Sequence, residues 1–161
     1  MSFTAARLAS ALEGCLATLA RPASGLCVAL SGGLDSTVLL TGLARARAAR
    51  SWPPLRAVHV DHGLHADSAA WAERSALQAM ELGVPLVQVR VDARPAAGES
   101  PEAAARKARY AALAGLLEAG EVLLTAHHAD DQLETVLLQW LRGGGLRSVA
   151  GMPAVASFAA G

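Results

Sequence analysis

Four short apolar runs punctuate the chain, at 26–30, 55–60, 86–91 and 122–125. Each spans four to six mostly aliphatic residues, the length of a strand rather than a helix. Their apolarity is continuous instead of alternating, which predicts strands covered on both faces. Between the runs, apolar positions recur at helical spacing. Residues 1–20 hold Arg7 and Glu13 inside an apolar pattern and predict an amphipathic helix. Residues 36–50 space Val38, Leu39, Leu43 and Ala46 in the same way. Residues 67–82 do so with Trp71, Leu77 and Met80, and residues 129–141 with Leu133, Val136, Leu137 and Trp140. The stretch 101–119 opens behind Ser100, a good N-cap, with Pro101 at the first helical position. Gly83 and Gly120 stand where the helices before them should stop.

Strand starts recur about every thirty residues, the repeat of a right-handed βαβ unit. The chain is therefore predicted to be an α/β domain: a doubly wound parallel sheet with helices on both faces. Residues 1–153 read as one domain, and 154–161 as a linker or the truncated start of a further region.

Composition narrows the picture. The 161 residues are 53% hydrophobic but only 4% aromatic, so small and branched aliphatics must build the core. Basic and acidic residues number 14 each, so any nucleic-acid contact needs a local patch rather than a basic domain. Cys15 and Cys27 form no CxxC pair, which excludes a zinc ribbon or thiol redox motif and suits a reducing cytoplasm. No apolar stretch is long enough to span a membrane. Lys107 is the one lysine, so no lysine-bearing phosphate loop is available elsewhere.

Ligands of such sheets bind at the carboxyl ends of the strands, and the residues there are chemically capable. After the first run come Ser31, Gly32, Gly33, Leu34, Asp35 and Ser36. Two glycines permit a sharp turn, and successive backbone N–H groups at a helix start favour a phosphate. A tight βα turn with a Ser or Asp cap explains the same residues without a ligand. Asp35 would repel phosphate unless a divalent cation bridged the two, as magnesium does with one or two carboxylates. After the fourth run come His127, His128, Asp130, Asp131 and Glu134. Asp131 and Glu134 share a helical face, which suits either metal binding or a capping box.

The histidines invite a metal reading. His59 to His62 is similar to part of the HxHxDH pattern of metallo-β-lactamase-like hydrolases, but Ala57 stands at its first His. His127-His128 is similar to the Asp-His-His phosphoesterases, but Ala126 stands at the Asp. A strand-end histidine that positions a nucleotide or satisfies a backbone carbonyl fits better. On the helix at 101–119, Arg106 reads as the partner of Glu102, a surface pair worth about 0.2–0.5 kcal/mol, or else an arginine of this helix, Arg106 or Arg109, reaches a phosphate. Arg109 and Tyr110 lie beside it, and Arg142 and Arg147 flank a run of three glycines.

Residues 30–36 resemble the SGGxDS pyrophosphate loop of the N-type ATP pyrophosphatases. Residues 59–64 (HVDHGL), 102–110 (EAAARKARY), 125–135 (TAHHADDQLET) and 141–153 (LRGGGLRSVAGMP) are similar to the tRNA(Ile)-lysidine synthetases. The resemblance runs from about residue 25 to 153, in order. It implies the adenine nucleotide alpha hydrolase-like fold of PP-loop ATPases. ATP would bind Ser31, Gly32, Gly33, Leu34, Asp35 and Ser36, with His59, His62 and His127 as further nucleotide contacts. Mg²⁺ would sit on Asp35 and Asp131, and Asp35, Arg106, Asp131 and Glu134 would carry catalysis. The substrates would be the anticodon loop of tRNA(Ile), adenylated at C2 of its wobble cytidine, and free L-lysine, whose amine displaces AMP. A cytoplasmic location follows, and a homodimer stays open. The family carries C-terminal domains that grip tRNA, so whole-tRNA recognition by a chain ending at Gly161 also stays open. The rival expectations are a 2-thiolation enzyme, which needs reactive cysteines, and an ATP-binding module without catalysis.

Overall fold

The structure, a computed structural model, describes residues 4–63, 67–127, 130–133, 135–136 and 152–158. Four parallel strands form one sheet: β1 (Gly25–Ala29), β2 (Leu55–Asp61), β3 (Leu86–Arg90) and β4 (Glu121–Leu124), in the order β3-β2-β1-β4. Among the described residues the complete helices are α1 (Ala5–Ala17), α2 (Leu34–Arg47), α3 (Ser68–Glu81) and α4 (Pro101–Leu116). The chain steps outward from β1 to β3 and then returns to place β4 on the other side of β1. This reversal opens a crevice at the carboxyl ends of β1 and β4, where ligands of doubly wound sheets bind. The predicted α/β architecture is the observed one. The predicted helix at 129–141 lies mostly outside the described residues, although 130–133, 135 and 136 are helical.

The two faces of the sheet separate by parity along each strand. Leu26, Val28 and Leu30 of the first strand segment, with Leu55 and Ala57 of β2, pack under Leu12 of α1 and Leu40 and Leu43 of α2. Helix α3 joins this layer through Gln78, which accepts from Thr37 Oγ1 at 3.1 Å and donates to Thr41 Oγ1 at 3.4 Å. Cys27, Val58 and Val60 face the other way and pack with Leu113 of α4. Full burial of each leucine contributes about 1.5–3 kcal/mol.

The local signals behave as expected at several points. Ser100 caps α4, its Oγ accepting from Ala103 N–H at 3.2 Å. Gly83 and Gly120 take positive φ after their helices. Two expectations fail. Strands β1 and β2 are buried, but β3 is largely exposed, because it has one neighbour and lies at the sheet's edge. On α3, Leu77 and Met80 point outward, and Ser75 and Ala79 are buried instead. The small residues let α3 come close to the turn after β1: a Cβ on Gly32 would lie 3.4 Å from both Ser75 Oγ and Trp71 Cβ.

At the amino end of the sheet a charged clamp spans the central strand. Arg56 of β2 donates to both carboxylate oxygens of Glu121 of β4, at 2.6 and 2.5 Å, and to the Leu116 carbonyl at 2.7 Å. The clamp crosses β1 where Gly25 leaves room, since a Cβ there would lie 3.2 Å from Glu121 Cγ. The Glu121 hydrogen bond holds the Arg56 guanidinium above its usual pKa. Burial opposes ionisation of Glu121, but the bonds from Arg56 and from the Glu118 N–H win and hold its carboxyl below its usual value.

Candidate active site

The site begins where β1 ends. Leu30 N–H donates to the Val58 carbonyl at 2.8 Å, which keeps the chain in register one residue beyond the strand. Gly32 then takes φ +82°, a left-handed conformation that a side chain would strain, and Gly33 enters α2 with no side-chain cap. Ser36 therefore does not cap the helix. Its buried Oγ accepts from Ser31 N–H at 3.2 Å, meets Ser31 Oγ at 3.0 Å and donates to the Gly33 carbonyl at 3.1 Å. Ser31 Oγ in turn accepts from Gly33 N–H at 3.3 Å. The two hydroxyls thus fold the loop on itself. The helix start that follows presents backbone N–H groups at the sheet's edge, where an anion is favoured.

Beneath this loop lies His59. Its Nδ1 is 2.8 Å from the Leu30 carbonyl, and because a carbonyl only accepts, Nδ1 carries the proton. The ring is buried, with Ser75 Oγ at 3.5 Å. His59 does not line the cavity described next. Position 59 has the parity of Leu55 and Ala57, on the α2 and α3 side of the sheet, while Val58 and Val60 face the cavity described next.

A cavity of about 500 Å³ opens at the carboxyl edge, between the loop, α4 and the segment after β4. Ser31, Gly33, Asp35 and Ser36 line it from the loop, and His62 from the end of β2. Glu102, Arg106, Arg109 and Tyr110 line it from one face of α4, and His127 and Asp131 from beyond β4. The spacing of 102, 106, 109 and 110 is that of a single helical face. Eight of the twelve expected site residues thus meet around one space (Ser31, Gly33, Asp35, Ser36, His62, Arg106, His127 and Asp131). Gly32, Leu34 and His59 do not line it, and Leu34 is 75% exposed. Glu134 lies outside the described residues.

The remaining polar geometry constrains the walls. Thr125 Oγ1 and His127 Nδ1 lie 2.9 Å apart, which fixes that ring at one edge of the cavity. His62 Nδ1 is buried with no hydrogen-bond partner. Gln132 holds Met152 through two bonds, Nε2 to the Met152 carbonyl at 2.8 Å and Met152 N–H to Oε1 at 2.7 Å. Met152 also lines the cavity, and Phe158 packs on Tyr110 with ring centroids 5.7 Å apart. A second, apolar cavity of about 710 Å³ adjoins the first and shares Asp35, Thr125, Ala126 and His127 with it.

The surface pair Glu102–Arg106 is not formed, although both residues line the cavity. Gln132 was not singled out by sequence reasoning, and Arg109 and Tyr110 were named beside Arg106 without a role of their own. The available signal was the shared helical face of 106, 109 and 110. Neither cysteine lines the 500 Å³ cavity. Cys27 is buried in β1, where burial pushes its thiol up to about 11, and Cys15 borders the apolar cavity. Asp35 and Asp131 supply carboxylates to the same space. Among the described residues, no group of three or more His, Cys, Asp or Glu gathers as a metal cage. Two carboxylates still suit Mg²⁺, which keeps waters and takes its other oxygens from substrate phosphates.

The PP-loop domain family model matches residues 4–161. The tRNA(Ile)-lysidine synthase of Alkalilimnicola ehrlichii is 62% identical over 133 residues, covering 83% of this chain and 30% of that protein. The tRNA(Ile)-lysidine synthase of Pseudomonas aeruginosa is 52% identical over 134 residues, again 83% of this chain and 30% of that one. The chain thus spans about a third of the length of these curated relatives. Among solved structures, the U34-tRNA thiolase NcsA of Methanococcus maripaludis, with its 4Fe-4S cluster, superposes with a TM-score of 0.71. The two are 18% identical, and the match covers 88% of this chain and 51% of the thiolase. At that identity the likeness speaks to the fold.

Proposed function

Because the chain belongs to the PP-loop domain family, we propose that it binds ATP in the 500 Å³ cavity and is the catalytic domain of a tRNA(Ile)-lysidine synthase. The observation that carries this reading is the convergence of the Ser31–Ser36 loop, Arg106, Asp35 and Asp131 on one space at the topological switch point. In the proposed reaction the C2 oxygen of the wobble cytidine attacks the α-phosphorus of ATP, and pyrophosphate leaves. An amine of free lysine then attacks C2, loses a proton, and AMP departs.

The residues suit these steps. Loop N–H groups and the α2 terminus hold pyrophosphate oxygens, and each charge-assisted bond contributes about 1.5–3 kcal/mol. Arg106 neutralises charge that develops on the phosphates. Asp35 and Asp131 would hold Mg²⁺, which when bound withdraws electron density from the phosphate oxygens. Asp131, with Glu134 three residues further along the sequence, would receive the lysine ammonium and take up its proton. Such chemistry belongs in the cytoplasm, and no helix among the described residues is long and apolar enough to cross a membrane.

The two cysteines disfavour the 2-thiolation alternative, since neither lines the cavity and the Cys27 thiol resists ionisation. The test is AMP and pyrophosphate release from ATP with tRNA and lysine, each omitted in turn. AMP release that needs both is expected, and Asp35→Asn should abolish it with the fold intact. AMP release that needs a sulfur donor and not lysine would establish thiolation. ATP binding without turnover would leave a binding module.

A further inference from the structure

Arg109 stands apart from the other arginines. Among the described residues four arginines are half-buried: Arg47, Arg50, Arg56 and Arg109. Arg47 donates to the Leu82 and Gly83 carbonyls, Arg50 to Glu13 and Arg56 to Glu121. Arg109 alone of the four has no oxygen partner; its guanidinium lies over the Tyr110 ring, with Cζ 5.6 Å from the centroid. Arg106 lies over the same ring at 5.3 Å. Tyr110 is itself braced by Phe158, with the rings inclined at 58°.

Two guanidiniums set against one ring place two positive charges on this wall, and the half-burial of Arg109 removes some of the water that would screen its charge. The ring's negative face offsets part of this cost, and it also fixes where the donors point. Neither arginine is neutralised by Glu102, which lines the same wall. Their N–H donors remain available to a ligand. Such a pair in a cavity that also holds the Ser31–Ser36 loop is built for an anion with several oxygens, which Arg binds as a planar fork.

We propose that Arg109 is a second phosphate-binding residue, set with Arg106 on the Tyr110 ring to grip the β- and γ-phosphates that leave as pyrophosphate. This rests on the nucleotide reading of the cavity. Tyr110 is a positioning residue, acting through the two guanidiniums.

The test measures binding of MgATP, magnesium pyrophosphate and AMP to the 161-residue chain and to Arg109→Ala, Arg109→Lys and Tyr110→Leu, with thermal melting alongside. Arg109→Ala should weaken MgATP and pyrophosphate about tenfold, one decade per 1.4 kcal/mol, and leave AMP unchanged. Arg109→Lys, which keeps the charge and the aliphatic stem but not the fork, should lose less. Tyr110→Leu should weaken pyrophosphate, and combining it with Arg109→Ala should add little, since both act through one contact. Wild-type pyrophosphate affinity in Arg109→Ala, with or without a lowered melting point, overturns the proposal. Equal weakening of AMP overturns the assignment to the β- and γ-phosphates. A wild-type chain that binds none of the three ligands overturns the nucleotide reading itself, a separate result.

Discussion

Ser36→Ala probes whether the loop is organised before the ligand arrives. Ser36 is 4% exposed, and its Oγ takes part in three hydrogen bonds within the loop, to Ser31 N–H, Ser31 Oγ and the Gly33 carbonyl. Each such bond contributes about 1 kcal/mol net, so the alanine variant forfeits about 3 kcal/mol of loop organisation. The loss falls on the population of the binding-competent loop, and the apparent dissociation constant rises as that population falls. At 1.4 kcal/mol per decade, 3 kcal/mol caps the loss of MgATP affinity at about 100-fold. Any share that reaches global unfolding lowers the melting temperature by about 2–4 °C per kcal/mol in a chain of this size. Titration with MgATP, followed by thermal melting of the same samples, separates the two shares. Unchanged affinity would refute the reasoning whatever the melting point does, because it would make the serine network an element of the fold and not of the site.

Two further substitutions test the scaffold around the loop. Glu121→Gln breaks the clamp with Arg56 and should cost about 3–5 kcal/mol, read as a lowered melting temperature. The Glu121 carboxyl is held below its usual pKa, so its contribution is complete above the ordinary carboxylate range, near pH 4.3, and is lost as pH falls through the lower folded value. Unfolding free energy measured against pH should therefore show an acid loss in the wild type that Glu121→Gln lacks. His59→Asn retains a donor where Nδ1 now meets the Leu30 carbonyl, whereas His59→Ala leaves that carbonyl unpaired at the root of the loop. The alanine variant should lose about 1–3 kcal/mol and bind MgATP more weakly, and the asparagine variant should recover most of both.

Much of the fold could be read from the chain because central and edge strands differ in how much they bury. Residues 26–30 are apolar throughout, and 55–60 place their two polar residues, Arg56 and His59, on opposite faces; they became the buried centre of the sheet, β1 and β2. The run at 86–91 places Gln88 and Arg90 on the same face, and this alternation marks a half-exposed strand. Gln88 reaches the Ala72 carbonyl at 2.6 Å, and Arg90 lies 3.8 Å from Asp61. The outward turn of Leu77 and Met80 was not legible, because helical spacing alone ranks larger apolar groups as core. What decides the face of α3 is the room left by Gly32, a tertiary quantity that favours Ser75 and Ala79.

The site divides in the same way. Asp35, Arg106 and Asp131 could be found because strand order alone brings the carboxyl ends of β1 and β4 together, and each lies within reach of that edge. His59 stands outside the cavity lining, and the strand pattern carries the signal: along β2 it alternates with Val58 and Val60, which face the cavity. Arg109 is the opposite case. A cation on a helix surface looks the same in sequence whether water, a carboxylate or a ligand completes it. Only the packing of Tyr110 against Phe158 reveals that this guanidinium is half-buried and left without an oxygen. Charge balance over the whole chain is zero, yet the fold spends carboxylates on Arg50 and Arg56 away from the cavity and leaves Arg106 and Arg109 uncompensated within it. The same cavity is lined by the carboxylates of Asp35, Glu102 and Asp131, so a polyanion there needs a divalent cation beside the arginines, and its attraction should weaken only mildly with salt, since two arginines neutralise few phosphates.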